Sequence, residues 1–273
     1  MPRRLYSASP SKLLAWLDCP RRYRMQYLDR PRPAVRSRRA HTSVGVATHN
    51  ALRDFWDLAP VDRTPTAVER LVRQSWIDVG FRDPDQSAHW RARTTERVTE
   101  YLRGINRDQQ PLGVERTVAL HTETLAVTGR VDRLDDRGGE LVVVDYKTGR
   151  VRLTDDDART SLPMALYAVA VAGMFRRPCA RVELHNLSKG EVLAHVHTPD
   201  TLARKVVEAE SIAADLRKAD ADFAERGVES PLFGPQVSSL CTWCDFRAHC
   251  PEGQRVGPEK SDWAALEAEA PQV

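Results

Sequence analysis

The sequence predicts an α/β fold, a small mixed sheet flanked by helices, and three observations predict it. The first hundred residues carry helical periodicities. After Pro111-Leu112-Gly113 the period changes, and three short segments rich in Val, Leu and Thr follow in succession. A further helical pattern, a second pair of such segments and a long amphipathic stretch complete the alternation. With 273 residues, 41% of them hydrophobic and 29% charged, the chain can bury a core without staples.

Each element has a local cause. Ser9 and Pro10 open a first helix, a hydroxyl cap before a proline suited to the first helical position. Cys19-Pro20 interrupts it, and residues 21–28 form a second short helix carrying Arg21, Arg22, Tyr23, Arg24 and Tyr27. Residues 30–42 are rich in proline and arginine and read as a loop. A helix over 44–58 follows, with Val44, Ala47, Ala51, Phe55 and Leu58 near helical spacing and His49 on it. Two more helices are expected over 65–79 and 87–107, and no strand before residue 100. Strands are expected over 114–120, 124–134 and 140–146. Asp135-Asp136-Arg137-Gly138-Gly139 is turn chemistry, which makes the last two a hairpin. A helix over 155–175 follows, broken by Pro163 unless that proline opens a new first turn. A strand pair over 181–187 and 191–197 turns at Ser188-Lys189-Gly190, and a helix near 201–225 ends at Gly227. Residues 258–273 read as a flexible polar tail.

No segment approaches the roughly 20 apolar residues of a membrane span. The basic N-terminus lacks the apolar core and small-residue cleavage site of a signal peptide. The expected setting is therefore cytoplasmic, where thiols stay reduced. Five cysteines there suit metal binding or a core better than disulfides. The net charge of +3 says little, but the first 39 residues hold eleven Arg or Lys against Asp18 and Asp29. That is the footprint of a phosphate-binding surface, or equally of a solvated arm.

The most informative stretch is Gly129-Arg130-Val131-Asp132-Arg133-Leu134, then the turn, then Val143-Val144-Asp145-Tyr146-Lys147-Thr148-Gly149. Strand alternation sends Asp145 and Lys147 to one side. The hairpin is expected to set Asp132 opposite Val143, diagonally about 7–8 Å from Asp145. Two carboxylates so placed can converge on Mg²⁺ or Mn²⁺. Such a metal activates water and neutralises phosphate oxygens, and an ammonium beside it offsets developing charge. An isolated Asp-x-Lys is common where a strand reaches solvent; the Gly-x-x-Asp strand before the hairpin gives this one its weight.

These residues resemble the core of RecB-family PD-(D/E)XK nucleases. Gly45-Val46-Ala47-Thr48-His49 looks like the helical Gly-x-x-x-His motif of that family, and Leu166-Tyr167-Ala168 like the end of its Gln-Leu-x-Leu-Tyr-Ala motif. The resemblance implies a restriction-endonuclease-like core. It implies Mg²⁺ or Mn²⁺ held by His49, Asp132, Asp145 and the Tyr146 backbone carbonyl, with Lys147, Glu115 and Tyr167 also in the catalytic set. Taken alone, His49 would be an ordinary helix histidine, Glu115 a surface carboxylate and Tyr167 core. One departure stands out: Pro163 and Met164 occupy the family's Gln-Leu positions, so the glutamine that positions substrate is missing.

Cys241-Thr242-Trp243-Cys244 and Cys250-Pro251 give C-x2-C-x5-C, three thiolates able to take three corners of a metal site. Cys19 is the candidate fourth ligand, although His249 could serve in a zinc site. The setting Cys19-Pro20-Arg21-Arg22-Tyr23 resembles iron–sulfur nucleases of the AddB type and the accessory nucleases of CRISPR adaptation. The resemblance implies a [4Fe–4S] cluster on Cys19, Cys241, Cys244 and Cys250; structural Zn²⁺ is the competitor. Cys179 reads as a core residue.

Arg21, Arg22, Arg24 and Arg130 are candidate DNA contacts, with Arg36, Arg38 and Arg39 behind them. Trp16, Tyr23 and Tyr27 are available for base stacking or for the core. No Gly-x-x-x-x-Gly-Lys-Ser/Thr phosphate loop occurs, so unwinding would need a separate helicase. The expected organisation is one nuclease domain over 1–257. Its parts are a helical region 1–110, a core 111–230 and a cysteine-rich clasp 231–257 closing onto Cys19. The expected activity is metal-dependent hydrolysis of DNA, as an exonuclease or end-processing enzyme on single-stranded or frayed DNA, in repair, recombination or defence. The alternative is a non-catalytic DNA-binding scaffold subunit.

Overall fold

The computed structural model describes residues 5–149 and 152–267; residues 268–273 of the expected tail lie outside the described residues. The elements run in chain order as β1 (Tyr6–Ala8), α1 (Pro10–Asp18), α2 (Pro20–Tyr27), α3 (Ala40–Trp56), α4 (Pro65–Ser75) and α5 (Pro84–Arg103). Then come β2 (Gly113–His121), β3 (Leu125–Arg137), β4 (Glu140–Lys147), α6 (Asp155–Thr160), α7 (Leu162–Phe175), β5 (Arg181–Asn186) and β6 (Glu191–Val196). The long α8 (Pro199–Arg226) and the short α9 (Pro251–Gln254) and α10 (Ala264–Glu267) complete the chain. It forms two compact units, Met1–Arg36 with Ala119–Gly129 and Asp200–Ser261, and Ser37–Val118 with Arg130–Pro199 and Asp262–Val273.

In the second unit β3 pairs antiparallel with β4, β4 parallel with β5, and β5 antiparallel with β6. This is the mixed sheet flanked by helices that the sequence predicts. Val142, Val144 and Tyr146 of β4 enter one core with Phe55 and Trp56 of α3, Leu71 of α4 and Leu102 of α5. The other residues of β4, Val143, Asp145 and Lys147, therefore point to the opposite face, and α7 packs on β4 and β5. That helix is apolar nearly all round, with Leu162, Met164, Leu166 and Val171 buried. It starts afresh after α6: Ser161 caps the Met164 N–H and Pro163 lies in the first turn, so the proline opens a helix rather than breaking one.

Local expectations change in this unit. The β3–β4 turn is only Gly138-Gly139, with φ 64° and 99°, and Arg137 pairs with Glu140. The primed two-residue turn needs positive φ at both positions, which glycine supplies without a steric penalty. Asp135, Asp136 and Arg137, expected in the turn, continue β3 because their side chains find partners there. Trp263 and Leu266, in the stretch expected as tail, pack with Ala40, Val44 and Trp90.

In the first unit Tyr6–Ala8 forms a strand, parallel to Leu125–Val127 at the start of β3. None was expected before residue 100, since three residues carry no readable period. The Ser9 hydroxyl accepts from the Lys12 N–H, and Cys19 N–H ends α1 on Ala15 O. Tyr6 and Tyr23 both donate to the Asp220 carboxylate of α8, at 2.8 and 2.7 Å.

Candidate active site and cysteine pocket

Asp132 of β3 and Asp145 of β4 meet more closely than expected. The register pairs Arg133 with Val144, so Asp132, one step further, is level with Asp145 rather than opposite Val143. The cause is the short turn, which shifts the ladder by two residues. One Asp132 oxygen accepts the Tyr146 N–H at 2.7 Å, and the other lies 3.3 Å from His49 Nδ1. Gly45, one turn before His49, explains its place in the motif. A Cβ there would approach Thr148 Oγ1 at 3.3 Å, so glycine lets α3 come close to the end of β4.

Glu115 of β2 completes a cluster. Its φ of 47° lies in the left-handed region, rare for a residue with a long side chain. Ligand atoms of His49, Glu115 and Asp132 lie within 4.8 Å of one another. Opposed oxygens around Mg²⁺ stand about 4.2 Å apart at bond lengths near 2.1 Å, so the spacing suits such an ion. Asp145, beside this group, is 2.8 Å from Lys147 Nζ, and Glu115 is 2.7 Å from Arg130 Nε.

The electrostatics have one theme, too much negative charge in too little water. Burial pushes the Asp145 carboxyl up, Lys147 counters, and Asp132 adds to the rise. Glu115 is raised by burial and Asp132 against Arg130, His49 and Arg53. Burial favours neutral His49, but Asp132, Asp145 and Glu115 outweigh it and raise its pKa. A divalent cation would relieve all three, replacing protons with a fixed positive charge. Tyr167 on α7 has its pKa raised by burial and then by the charges of Asp145 and Asp132. Neither Pro163 nor Met164 carries an amide, so the family glutamine has no counterpart at those positions.

The family model described as the PD-(D/E)XK nuclease superfamily matches residues 7–251. The chain belongs to this superfamily. Nucleases of this kind use divalent metals on DNA, and the donor set around His49 is hard oxygen and imidazole nitrogen, which fits. Among solved structures, a candidate exonuclease from Eubacterium rectale aligns at 10% identity and a TM-score of 0.47, over 80% of this chain and 81% of its own. The protein SSO0001 aligns at 13% identity and a TM-score of 0.39, over 92% and 89%. No curated protein matches in sequence. No helix among the described residues of the nuclease is long and apolar enough to cross a membrane.

In the first unit of the nuclease, Cys19, Cys241, Cys244 and Cys250 line one cavity of about 440 Å³, and all are free thiols. N–H donors point at their sulfurs: Gln236 at Cys19, 3.4 Å; Ser238 at Cys241, 3.5 Å; and Arg21 at Cys250, 3.8 Å. The Phe246 N–H does the same for Cys244. Gly253 lies beside this cavity, where a Cβ would be in ordinary contact with Cys250 Sγ at 3.4 Å. Cys179 is elsewhere, 3% exposed, its thiol pushed up to about 12 by burial.

The predicted DNA-contacting arginines are largely engaged. Arg21 pairs with Glu252, Arg22 with Asp18 at 3.3 Å, and Arg24 with Asp29 at 3.1 Å. Tyr23 is fully buried, stacking edge-on with Trp16, so it belongs to the core rather than to a base platform. Arg130 is 67% exposed despite its Glu115 pair. Sequence reasoning missed a buried polar network behind the site: Tyr101, Arg133, Asp135, Glu183 and His185. The signal available was the run of charges at 133, 135 and 137, alternating with Asp132 on a valine-rich hairpin.

Proposed function

We propose that this nuclease is a divalent-metal-dependent deoxyribonuclease, acting as an exonuclease or end-processing enzyme on single-stranded or frayed DNA. The observation that carries the reading is the convergence of His49, Glu115 and Asp132 within 4.8 Å, with Asp145 and Lys147 alongside. In this reading His49, Asp132, Asp145 and the Tyr146 carbonyl would hold Mg²⁺ or Mn²⁺, which would supply an activated water and positive charge for the scissile phosphate. Glu115 supports the site, and Lys147, held by Asp145, orients the nucleophile or stabilises the phosphate. Tyr167 closes the α7 side. Exposed Arg130 is the DNA contact beside the carboxylates, and Arg22 a second one, since its pair with Asp18 is solvent-exposed and weak. Arg21 and Arg24 serve structure first.

Cys19, Cys241, Cys244 and Cys250 would hold a [4Fe–4S] cluster with a structural role. The shared cavity and the donors to each sulfur support this. A cytoplasmic setting, where thiols stay reduced, suits the free cysteines, and ATP-driven unwinding would come from a separate helicase.

The deciding experiment is digestion of end-labelled single-stranded DNA with Mg²⁺ or Mn²⁺. Wild type is expected to cut, EDTA to stop it, and Asp145→Ala to be at least a hundredfold slower. Binding without cutting under every divalent metal would instead make the protein a scaffold subunit. Iron and sulfide in anaerobically purified protein, lost in Cys241→Ala, are expected; stoichiometric zinc would displace the cluster assignment alone.

A further inference from the structure

The face of the β3–β4 hairpin that turns away from Asp132 and Asp145 carries a buried arginine with no part in the chemistry proposed so far. Arg133 is 4% exposed. It donates from Nε and Nη2 to the two oxygens of Asp135, at 2.9 and 3.0 Å, and from Nη1 to the hydroxyls of Tyr101 and Tyr146, at 2.9 and 3.3 Å. Its guanidinium lies 5.1 Å from the Trp56 ring and 5.9 Å from the Tyr146 ring. Trp56 Nε1 gives the Tyr146 hydroxyl a second hydrogen bond, at 3.1 Å. Tyr146 is thus gripped at its far end by two donors in the core.

Its near end meets the site. The Tyr146 N–H donates to Asp132 at 2.7 Å, and its ring sits edge-on to the His49 ring, 5.9 Å between centroids. Tyr146 therefore touches two members of the metal-binding group and follows Asp145 directly in the chain. Burying a charged network costs desolvation that an apolar core of the same volume would avoid. For the hairpin alone, leucine or methionine at 133 would pack more cheaply.

We propose that Arg133, with Trp56, is a positioning residue for the metal site, acting through the Tyr146 hydroxyl to hold Asp132 and His49 at ligating geometry. The inference rests on the metal-nuclease reading. Partners that orient ligands typically change metal affinity about 10–100-fold when removed, and a Tyr146 freed at its hydroxyl can slide within the core, taking its N–H and ring with it.

The test is calorimetric titration of the full-length protein with Mn²⁺, for wild type, Tyr146→Phe, Arg133→Met, Arg133→Lys and Asp145→Ala, with melting curves alongside. Tyr146→Phe keeps the ring and backbone and removes only the gripped hydroxyl. It and Arg133→Met are expected to bind Mn²⁺ about 10-fold more weakly. The Mn²⁺ concentration for half-maximal cleavage should rise by the same factor, and Arg133→Lys should recover part of the loss. If Tyr146→Phe melts lower but binds Mn²⁺ as wild type does, the network is merely structural and the proposal falls; this variant decides even where Arg133→Met does not fold. Wild type and Asp145→Ala binding Mn²⁺ equally, or not at all, would overturn the metal reading itself, and the inference with it.

Discussion

At the scale of single residues, Glu115 is the most exposed to test. A left-handed φ costs an L-residue about 1–2 kcal/mol, and such outliers persist where something else fixes them. Comparison of Glu115→Ala with Glu115→Gly isolates that cost, since both remove the carboxylate and only glycine relaxes the backbone. The glycine variant is expected to be more stable than the alanine one by about 1 kcal/mol in thermal unfolding, and both should lose Mn²⁺ affinity. Equal stabilities would mean that the backbone at 115 carries no strain. Glu183 makes the second residue-scale prediction. Burial disfavours its charge, but hydrogen bonds from His185, Arg137 and Arg181 outweigh that and hold it well below the usual carboxylate range. A carboxylate depressed in the folded state stabilises fully above its unfolded pKa, near 4.3, and loses that contribution as pH falls through the folded value. Melting temperature should therefore fall steeply below about pH 4. Glu183→Gln should start lower at neutral pH and show a flatter acid limb; an unchanged limb would assign the acid loss to other carboxylates.

At the scale of elements, the β3–β4 hairpin sets the distance between Asp132 and Asp145, so its turn bears on the chemistry. Gly139 has φ 99° and no atom within 4 Å of where a Cβ would stand, so alanine there meets strain but no clash. Gly139→Ala is expected to destabilise by about 1–2 kcal/mol without abolishing Mn²⁺ binding. Thermal denaturation and the same titration check both. The start of α1 was legible in the sequence because its cap is local: Ser9 accepts the Lys12 N–H. Thr64 and Asp83 cap α4 and α5 in the same way, although α5, expected from 87, begins at Pro84. The hairpin turn was misread because Asp135 and Asp136 are turn-forming by propensity. Of the partners of this stretch, Arg133 lies on the same strand, while Glu183 and Arg177 come from elsewhere in the chain.

At the scale of the whole molecule, both units are built from separated stretches of chain, and one of them brings Cys19 to Cys241, Cys244 and Cys250. A group held by all four closes a very long loop, worth on the order of 4–5 kcal/mol in the chain-entropy account of cross-links. On the cluster proposal, Cys241→Ser should accordingly lose iron, sulfide and several degrees of melting temperature, while Cys179→Ser keeps all three. Retention of stability after loss of the metal would show that the first unit holds itself together without a clasp. The candidates for the chemistry were legible from the sequence alone: His49 on its helix, Asp132 and Asp145 with Lys147 on a hairpin, and the spacing of the cysteines. Those signals are local, written in caps, strand alternation and short motifs. The tertiary structure was needed to show that Asp132 stands level with Asp145, that Glu115 joins His49 and Asp132, that Arg21 is held by Glu252, and that Arg133 grips Tyr146 from behind. Each of these depends on register or on partners far apart in the chain, and non-local packing leaves no period in a sequence.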